Sequence, residues 1–320
     1  MSATLSVVVP AYNVESYIEP ALDSLLNQHD LPDEILVIDD GSTDGTPEKL
    51  ERYKSYDFIQ VIRTENQGLG PARNLGLVTS KSEFVYFFDS DDLLEPDFVT
   101  QMKKIIVEHS PDVILFSGES FVESGYHSDF SPDYLRGFSA VYEKGVSAIR
   151  SLYDSGGLKA SACLYLSRRE LWRESCLSFP AIIHEDEAVC LPLLARAGCT
   201  VVDNRVYFRR RVRANSIMTS MPTRRHVKSA AELVRTLSLE FRSGVDASPE
   251  NYLVWKERIY NQVSRYVRYA DYCRERLDTS LVFSVYVTTR RPRVLALAFY
   301  TLLPLVLRIL IRKYRSDGKA

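Results

Sequence analysis

Asp89, Ser90, Asp91 and Asp92 follow directly on an apolar run, residues 84–88. Carboxylates this close repel one another, and a hard cation shared with phosphate oxygens relieves the repulsion. The stretch therefore points to a metal and a phosphate-bearing substrate, although Asp91 and Asp92 would also suit helix N-caps. A second acidic group, Glu185, Asp186 and Glu187, follows His184 and opens an apolar-periodic segment with Ala188, Val189, Leu191 and Leu194 on one side. A carboxylate there can serve as a general base, or it can simply complement the helix dipole. A basic group, Arg209, Arg211 and Arg213, alternates along a strand-like run and is followed by Asn215 and Ser216. Such a run can guard a sheet edge against aggregation, or face lipid.

The elements that would position these groups can be read from the pattern. Residues 5–9, 34–38, 58–62 and 84–88 read as strands, separated by segments of helical spacing such as Tyr17, Ile18, Ala21, Leu22, Leu25 and Leu26. Asn13 is expected to cap that helix. Strands alternating with helices imply βαβ units and a parallel sheet. The polar clusters at residues 10–13, 39–45 and 89–92 each lie at a strand's carboxyl end, so they share one edge of the sheet, where open α/β sheets bind ligands. The cluster at 39–45 is also consistent with an ordinary turn. Further on, a helix is expected over 96–108 and a strand over 113–116. A long loop over 117–145 would cover the site, and two strand pieces should fall near 200–202 and 206–208. From Thr223 the pattern is mostly helical, broken near 244–249.

Composition bounds the partners. The 320 residues are 45% hydrophobic and 26% charged, an ordinary globular balance, and a net charge of -2 argues against a general nucleic-acid binder. Arg290, Arg291, Arg293, Arg308, Arg312, Lys313, Arg315 and Lys319 against the single Asp317 give residues 290–320 a charge of +7, which leaves -9 on the remainder. Residues 294–307 carry no charge. This stretch is short for a membrane span and contains Pro304, so it reads as a helix lying in the membrane interface. A buried or self-associating helix and a true span are the other readings. The five cysteines form no C-x-x-C pair, which suggests a reducing compartment. Residues 1–4 show no basic stretch followed by an apolar core, so no secretory signal is expected.

Taken together, residues 7–13 (VVVPAYN), 37–44 (VIDDGSTD), 66–74 (NQG through ARN) and 89–92 (DSDD) resemble the nucleotide-sugar domain of the family 2 inverting glycosyltransferases. The resemblance covers about residues 4–115 and returns over 184–197. It implies a GT-A fold, a Rossmann-like, mostly parallel α/β sheet flanked by helices. The corresponding domain would span 1–220, with a nucleotide-sugar half over 4–115 and an acceptor and catalytic half over 116–220. A helical region would follow over 221–320, with the membrane-associating helix at about 290–315. It also implies roles. Pro10 and Tyr12 would wall the base and ribose, with Asn13, Gly68 and Ser90 lining the same donor site. Asp39 would accept from the uracil imide, and Arg73 would sit near the base or diphosphate. Asp89 would contact the ribose or sugar, and Asp91 would bind Mn²⁺ or Mg²⁺. Arg211, Arg213 and Ser216 would close over the diphosphate. Asp186 would be the general base, with Glu185 as its supporting neighbour.

The expected activity is metal-dependent transfer of a hexosyl or N-acetylhexosaminyl group from a UDP-sugar to a hydroxyl of a glycan, with inversion. The acceptor is expected to be a lipid-linked saccharide at the cytoplasmic face of the cell membrane, in bacterial surface-polysaccharide assembly. Transfer to a polyprenyl phosphate and a non-catalytic nucleotide-sugar-binding role are the alternatives.

Overall fold

The structure is a computed structural model that describes residues 3–123, 126, 132–213, 221–246 and 248–303. It divides into two units, residues 1–181 with 185–219, and residues 182–184 with 220–320.

The first unit opens with β1 (Leu5–Ala11), α1 (Ile18–Leu26), β2 (Glu34–Asp39), α2 (Thr46–Leu50), β3 (Ile59–Arg63), α3 (Leu69–Thr79) and β4 (Phe84–Phe87). β1 and β4 are buried along their whole length, because their side chains are apolar on both faces. The strands run parallel in the order β3-β2-β1-β4, as expected of right-handed βαβ units. Close packing of α3 on β1 depends on Gly76, where a Cβ would lie 2.2 Å from Val8 Cγ1.

Beyond β4 the sheet is mixed. The chain continues through β5 (Leu93–Leu94), α4 (Phe98–His109), β6 (Val113–Val122), β7 (Ala140–Tyr142), α5 (Gly145–Asp154), β8 (Tyr165–Arg168), α6 (Arg169–Glu174), α7 (Glu185–Arg196) and β9 (Thr200–Val212). Antiparallel β8 sits between β4 and β6, and β9 follows, parallel to β6. Tyr86, Phe98, Phe116 and Tyr207 stack beneath this half, with neighbouring ring centroids 4.7–6.0 Å apart.

Two expectations change here. The segment expected as a loop from 117 begins as strand, since β6 continues to Val122, and β7 adds a second strand before α5. The two pieces expected near 200–208 are one strand, β9, with a register irregularity opposite Phe116–Gly118.

The second unit holds α8 (Arg224–Ser243), α9 (Pro249–Cys273), α10 (Thr279–Thr289) and α11 (Pro292–Leu302). α8 ends at Gly244 with φ 71°, and Ser248 caps α9 through the Asn251 amide at 3.3 Å. Leu233, Val234 and Leu237 of α8, and Trp255, Ile259 and Val263 of α9, are buried. The helix expected over 290–315 is broken at its start by Arg290 (φ 54°) and Pro292, and its part from 304 onward lies outside the described residues. Among the described residues no helix is long and apolar enough to cross a membrane.

Candidate active site

The ends of β1, β2 and β4 meet at one edge of the sheet and are tied together there. Asn13, at φ 52°, receives the Thr43 amide on its side-chain oxygen at 2.8 Å and donates its own amide to Ser42 Oγ at 3.1 Å. It therefore joins the first two strand ends and does not cap α1, which starts at Ile18 behind Tyr17. Pro10 is buried within β1 opposite Ile38, while Tyr12 is 48% exposed and presents its ring to solvent.

Asp39 and Asp40 divide the work at the end of β2. Asp39 is buried, accepts the Ser42 amide at 2.9 Å, and has Arg63 Nε 3.6 Å from its other oxygen. Asp40 accepts the amides of Gln67 and Gly68 at 2.9 and 2.8 Å. The Gly68 amide is thus used inside the protein, and Asp40 holds the turn that opens α3. Gly41, at φ 74°, allows the crossing, since a Cβ there would lie 2.9 Å from the Asn66 amide nitrogen.

Arg73 is engaged by the protein's own carboxylates. Its guanidinium is 2% exposed and bridges two carboxylates, Asp89 at 2.6 Å and Glu185, with Phe179 beneath it at 5.4 Å. Both forks of the side chain are engaged by protein groups, so Arg73 connects the end of β4 to the start of α7. Burial opposes its charge, but Asp89 and Glu185 more than offset that, and its pKa is raised.

Each acid after β4 has its own partner. Burial opposes ionisation of Asp89, yet Arg73 and Arg210 hold its pKa below the ordinary value. Asp91, 24% exposed, receives Arg213 Nε and Nη2 on one oxygen at 2.9 and 2.8 Å. Burial and repulsion from Asp89 raise its pKa despite Arg213. Asp92 accepts the Arg211 backbone amide at 2.7 Å, and burial with repulsion from Asp91 and Asp89 pushes its pKa well up. It does not cap the next helix, which starts at Phe98 behind Asp97. Ser90 is buried among them.

Arg211 donates from Nε to the Asp91 carbonyl at 2.8 Å and lies between the rings of Tyr17 and Phe121 at 5.3 and 4.8 Å. Its side chain braces the acid turn. Arg209 pairs with Glu95 and Glu119, and Ser216 lies outside the described residues.

At the head of α7, Glu185 is buried against Arg73, and Asp186 accepts only the neighbouring Glu187 amide, at 2.9 Å, among the hydrogen bonds described. Burial, then the charges of Glu185 and Glu187, push the Asp186 pKa up to about 7. His184 belongs to the second unit, where its Nε2 lies 3.5 Å from the Tyr269 hydroxyl.

Sequence reasoning passed over Asp40, Arg210 and Tyr17. Asp40 was visible as the second member of the 39–40 pair. Arg210 and Tyr17 act through neighbours more than 70 residues away, such as Tyr134 and Glu123, and left no local signal.

A divalent ion fits this edge only as a partly protein-built site. Among the described residues no three His, Cys, Asp or Glu side chains converge to hold a metal. One carboxylate completed by substrate phosphates is nevertheless a common way to hold Mg²⁺ or Mn²⁺, and Asp91 supplies such a carboxylate.

Comparison with known proteins agrees with this geometry. The sequence model of glycosyl transferase family 2 matches residues 6–151. Glycosyltransferase GlyA of Streptococcus pneumoniae is 37% identical over 164 residues, 50% of this chain and 23% of GlyA. Putative glycosyltransferase EpsH of Bacillus subtilis is 35% identical over 179 residues, 55% of this chain and 50% of EpsH. The chain thus matches half or less of the length of these relatives. Staphylococcus aureus TarS 1-349 in complex with UDP-GlcNAc superposes with a TM-score of 0.61 at 21% identity, over 89% of this chain and 88% of that one. Mannosyltransferase PcManGT from Pyrobaculum calidifontis, in complex with GDP-Man and Mn²⁺, gives 0.58 at 19% identity, over 99% and 84%. The sequence match and the shared architecture lead to one conclusion: residues 6–151 resemble glycosyl transferase family 2, and the chain has the GT-A fold.

Proposed function

We propose that this protein transfers a sugar from a UDP-sugar to a hydroxyl of a glycan acceptor, with inversion at the anomeric carbon. The observation that carries the reading is Arg73, which bridges Asp89 and Glu185 and so ties the turn that carries Asp91 to the helix head that carries Asp186. Asp91 is a partly open carboxylate at the strand-end edge, and Asp186 a carboxyl poised near neutrality at a helix start. A base that titrates near the working pH can both accept a proton and release it.

In this reading Asp39 receives the uracil imide on the oxygen not taken by Ser42, and exposed Tyr12 packs against the base. Asp89, held by Arg73, faces the ribose or sugar. Asp91 holds a divalent ion which, when bound, offsets the charge gathering on the departing diphosphate. Asp186 takes the proton of the acceptor hydroxyl as its oxygen attacks the anomeric carbon from the face opposite UDP. The bond from that carbon to the phosphate oxygen breaks, and UDP leaves. Glu185, tied to Arg73, fixes the head of α7.

A uridine donor is supported by the solved neighbour bound to UDP-GlcNAc, and a metal by the neighbour bound to Mn²⁺. A surface-polymer acceptor is supported by relatives whose names speak of teichoic acid, such as the minor teichoic acid biosynthesis protein GgaA of Bacillus subtilis, 26% identical over 230 residues. The basic C-terminal stretch would hold the enzyme at a membrane surface, on its cytoplasmic face. Phe299 and Leu302 of α11 are exposed at its beginning.

A screen of UDP-sugars, with UDP-GlcNAc first, for hydrolysis and binding with Mn²⁺, Mg²⁺ or chelator tests the reading. Metal-stimulated turnover of one UDP-sugar is expected. Failure to bind any uridine diphosphate would remove it. Removing residues 304–320 should release the protein from vesicles containing anionic lipid, and retained binding would place the anchor elsewhere.

A further inference from the structure

We propose that Arg213 is an exchangeable internal counterion: it holds the Asp91 carboxylate in the donor-free protein and yields it only when a divalent ion arrives already bound to a nucleoside diphosphate. The inference rests on the donor reading above and adds an order of events to it.

Arg213 places two nitrogens, Nε and Nη2, on the same Asp91 oxygen at 2.9 and 2.8 Å. That carboxylate is the one a cation would need, and the guanidinium neutralises it in the presence of Asp89 and Asp92. Two other arginines at the turn are differently engaged. Arg73 is buried between Asp89 and Glu185. Arg211 is tied by its backbone amide to Asp92 and by Nε to the Asp91 carbonyl. Arg213 is the first residue past the end of β9. Its side chain is 17% exposed. It also has a second stabilising neighbour, the Tyr17 ring, 4.6 Å from the guanidinium carbon. Tyr17 is itself anchored to Glu123 by its hydroxyl at 3.3 Å.

Charge balance sets the order. A bare divalent ion would have to evict a cation that already satisfies the carboxylate, and the evicted guanidinium would remain beside it as a like charge. A diphosphate that brings the ion with it cancels that charge and offers the released guanidinium phosphate oxygens, which it binds well. Free metal should therefore bind poorly and the metal–nucleotide pair well, with Arg213 moving from carboxylate to phosphate as the exchange occurs.

The test is direct binding of Mn²⁺ to the full chain without nucleotide, read from the electron paramagnetic resonance of free Mn²⁺. Arg213→Gln is expected to bind Mn²⁺ about tenfold more tightly than wild type, the scale of a partly buried ion pair lost as competitor. Arg213→Lys, which keeps the charge, should stay near wild type. Adding Asp91→Asn to Arg213→Gln should abolish the gain. With Mn²⁺ saturating, UDP should bind Arg213→Gln several-fold more weakly than wild type, and a retained UDP signal also reports a folded site. Unchanged or weaker donor-free Mn²⁺ affinity in Arg213→Gln would overturn the proposal, as would a gain that survives Asp91→Asn. If wild type binds UDP with Mn²⁺ but Arg213→Gln shows no gain, only the counterion role fails. If wild type binds no UDP under any condition, the donor reading fails with it.

Discussion

The acid turn after β4 and the acidic head of α7 each carry three carboxylates, and the fold partners them differently. After β4, Asp89 faces Arg73, Asp91 faces Arg213, and Asp92 takes the Arg211 amide. At α7, Glu185 shares Arg73, whereas among the hydrogen bonds described Asp186 accepts only the amide of its own neighbour, and its pKa is pushed up to about 7. Under the proposed function, counterions gather where a charged ligand would be held and are fewer where a proton would be taken up. Burial and neighbouring charges together thus give like carboxyls different titration behaviour.

The sharpest way to break this contrast is Asp186→Asn. Transfer should fall by about 10³-fold, the scale of general-base loss, while UDP-sugar affinity stays within about twofold. Retained turnover would remove Asp186 as the base. In the wild type, kcat/KM should drop about tenfold per pH unit below about 7, because the base must be unprotonated to act. Stability carries the opposite sign. A carboxyl whose folded pKa is raised stabilises the protein below its unfolded value near 3.8, and that contribution is lost as pH rises through about 7. Asp186→Asn, which mimics the neutral form, should therefore melt above wild type at pH 7.5, with the gap closing towards pH 4.

Asp91→Ala tests the binding side. Metal-stimulated UDP affinity should fall by about 10²-fold in calorimetry, and an unchanged metal dependence would take the ion away from Asp91. Arg73→Met should lower stability by about 3–5 kcal/mol in denaturant titrations, since it strands two carboxylates around one buried site. A loss below 1 kcal/mol would mean that Asp89 and Glu185 do not depend on it. The smallest effect is expected from Asp92→Asn. An amide oxygen can still accept from Arg211, so turnover should change less than about threefold.

The convergence of the clusters was legible because β1, β2 and β4 are continuous apolar runs that can only be central parallel strands, and their polar ends must then share an edge. The partners of those clusters were not. Arg73 reaches Glu185 across 112 positions and Arg211 reaches Asp92 across 119, and no local spacing encodes such pairs. The insertion of β8 escaped for a related reason. It is four residues long and gains its identity from β4 and β6 on either side. The continuation of β6 to Val122 depends on β9, which lies beside it through an irregular register.

The loops at the edge formed by β1 and β2 are stapled to one another by the protein's own groups. Asn13 fastens residues 42 and 43, Asp40 fastens residues 67 and 68, and Asp44 fastens Glu15 and Thr46. The chain entropy of ordering this floor is met during folding, so the nucleotide of the proposed function would meet a preformed edge. Association at the base end should accordingly give a heat-capacity change that follows the area of contact, without the larger negative value that accompanies coupled folding.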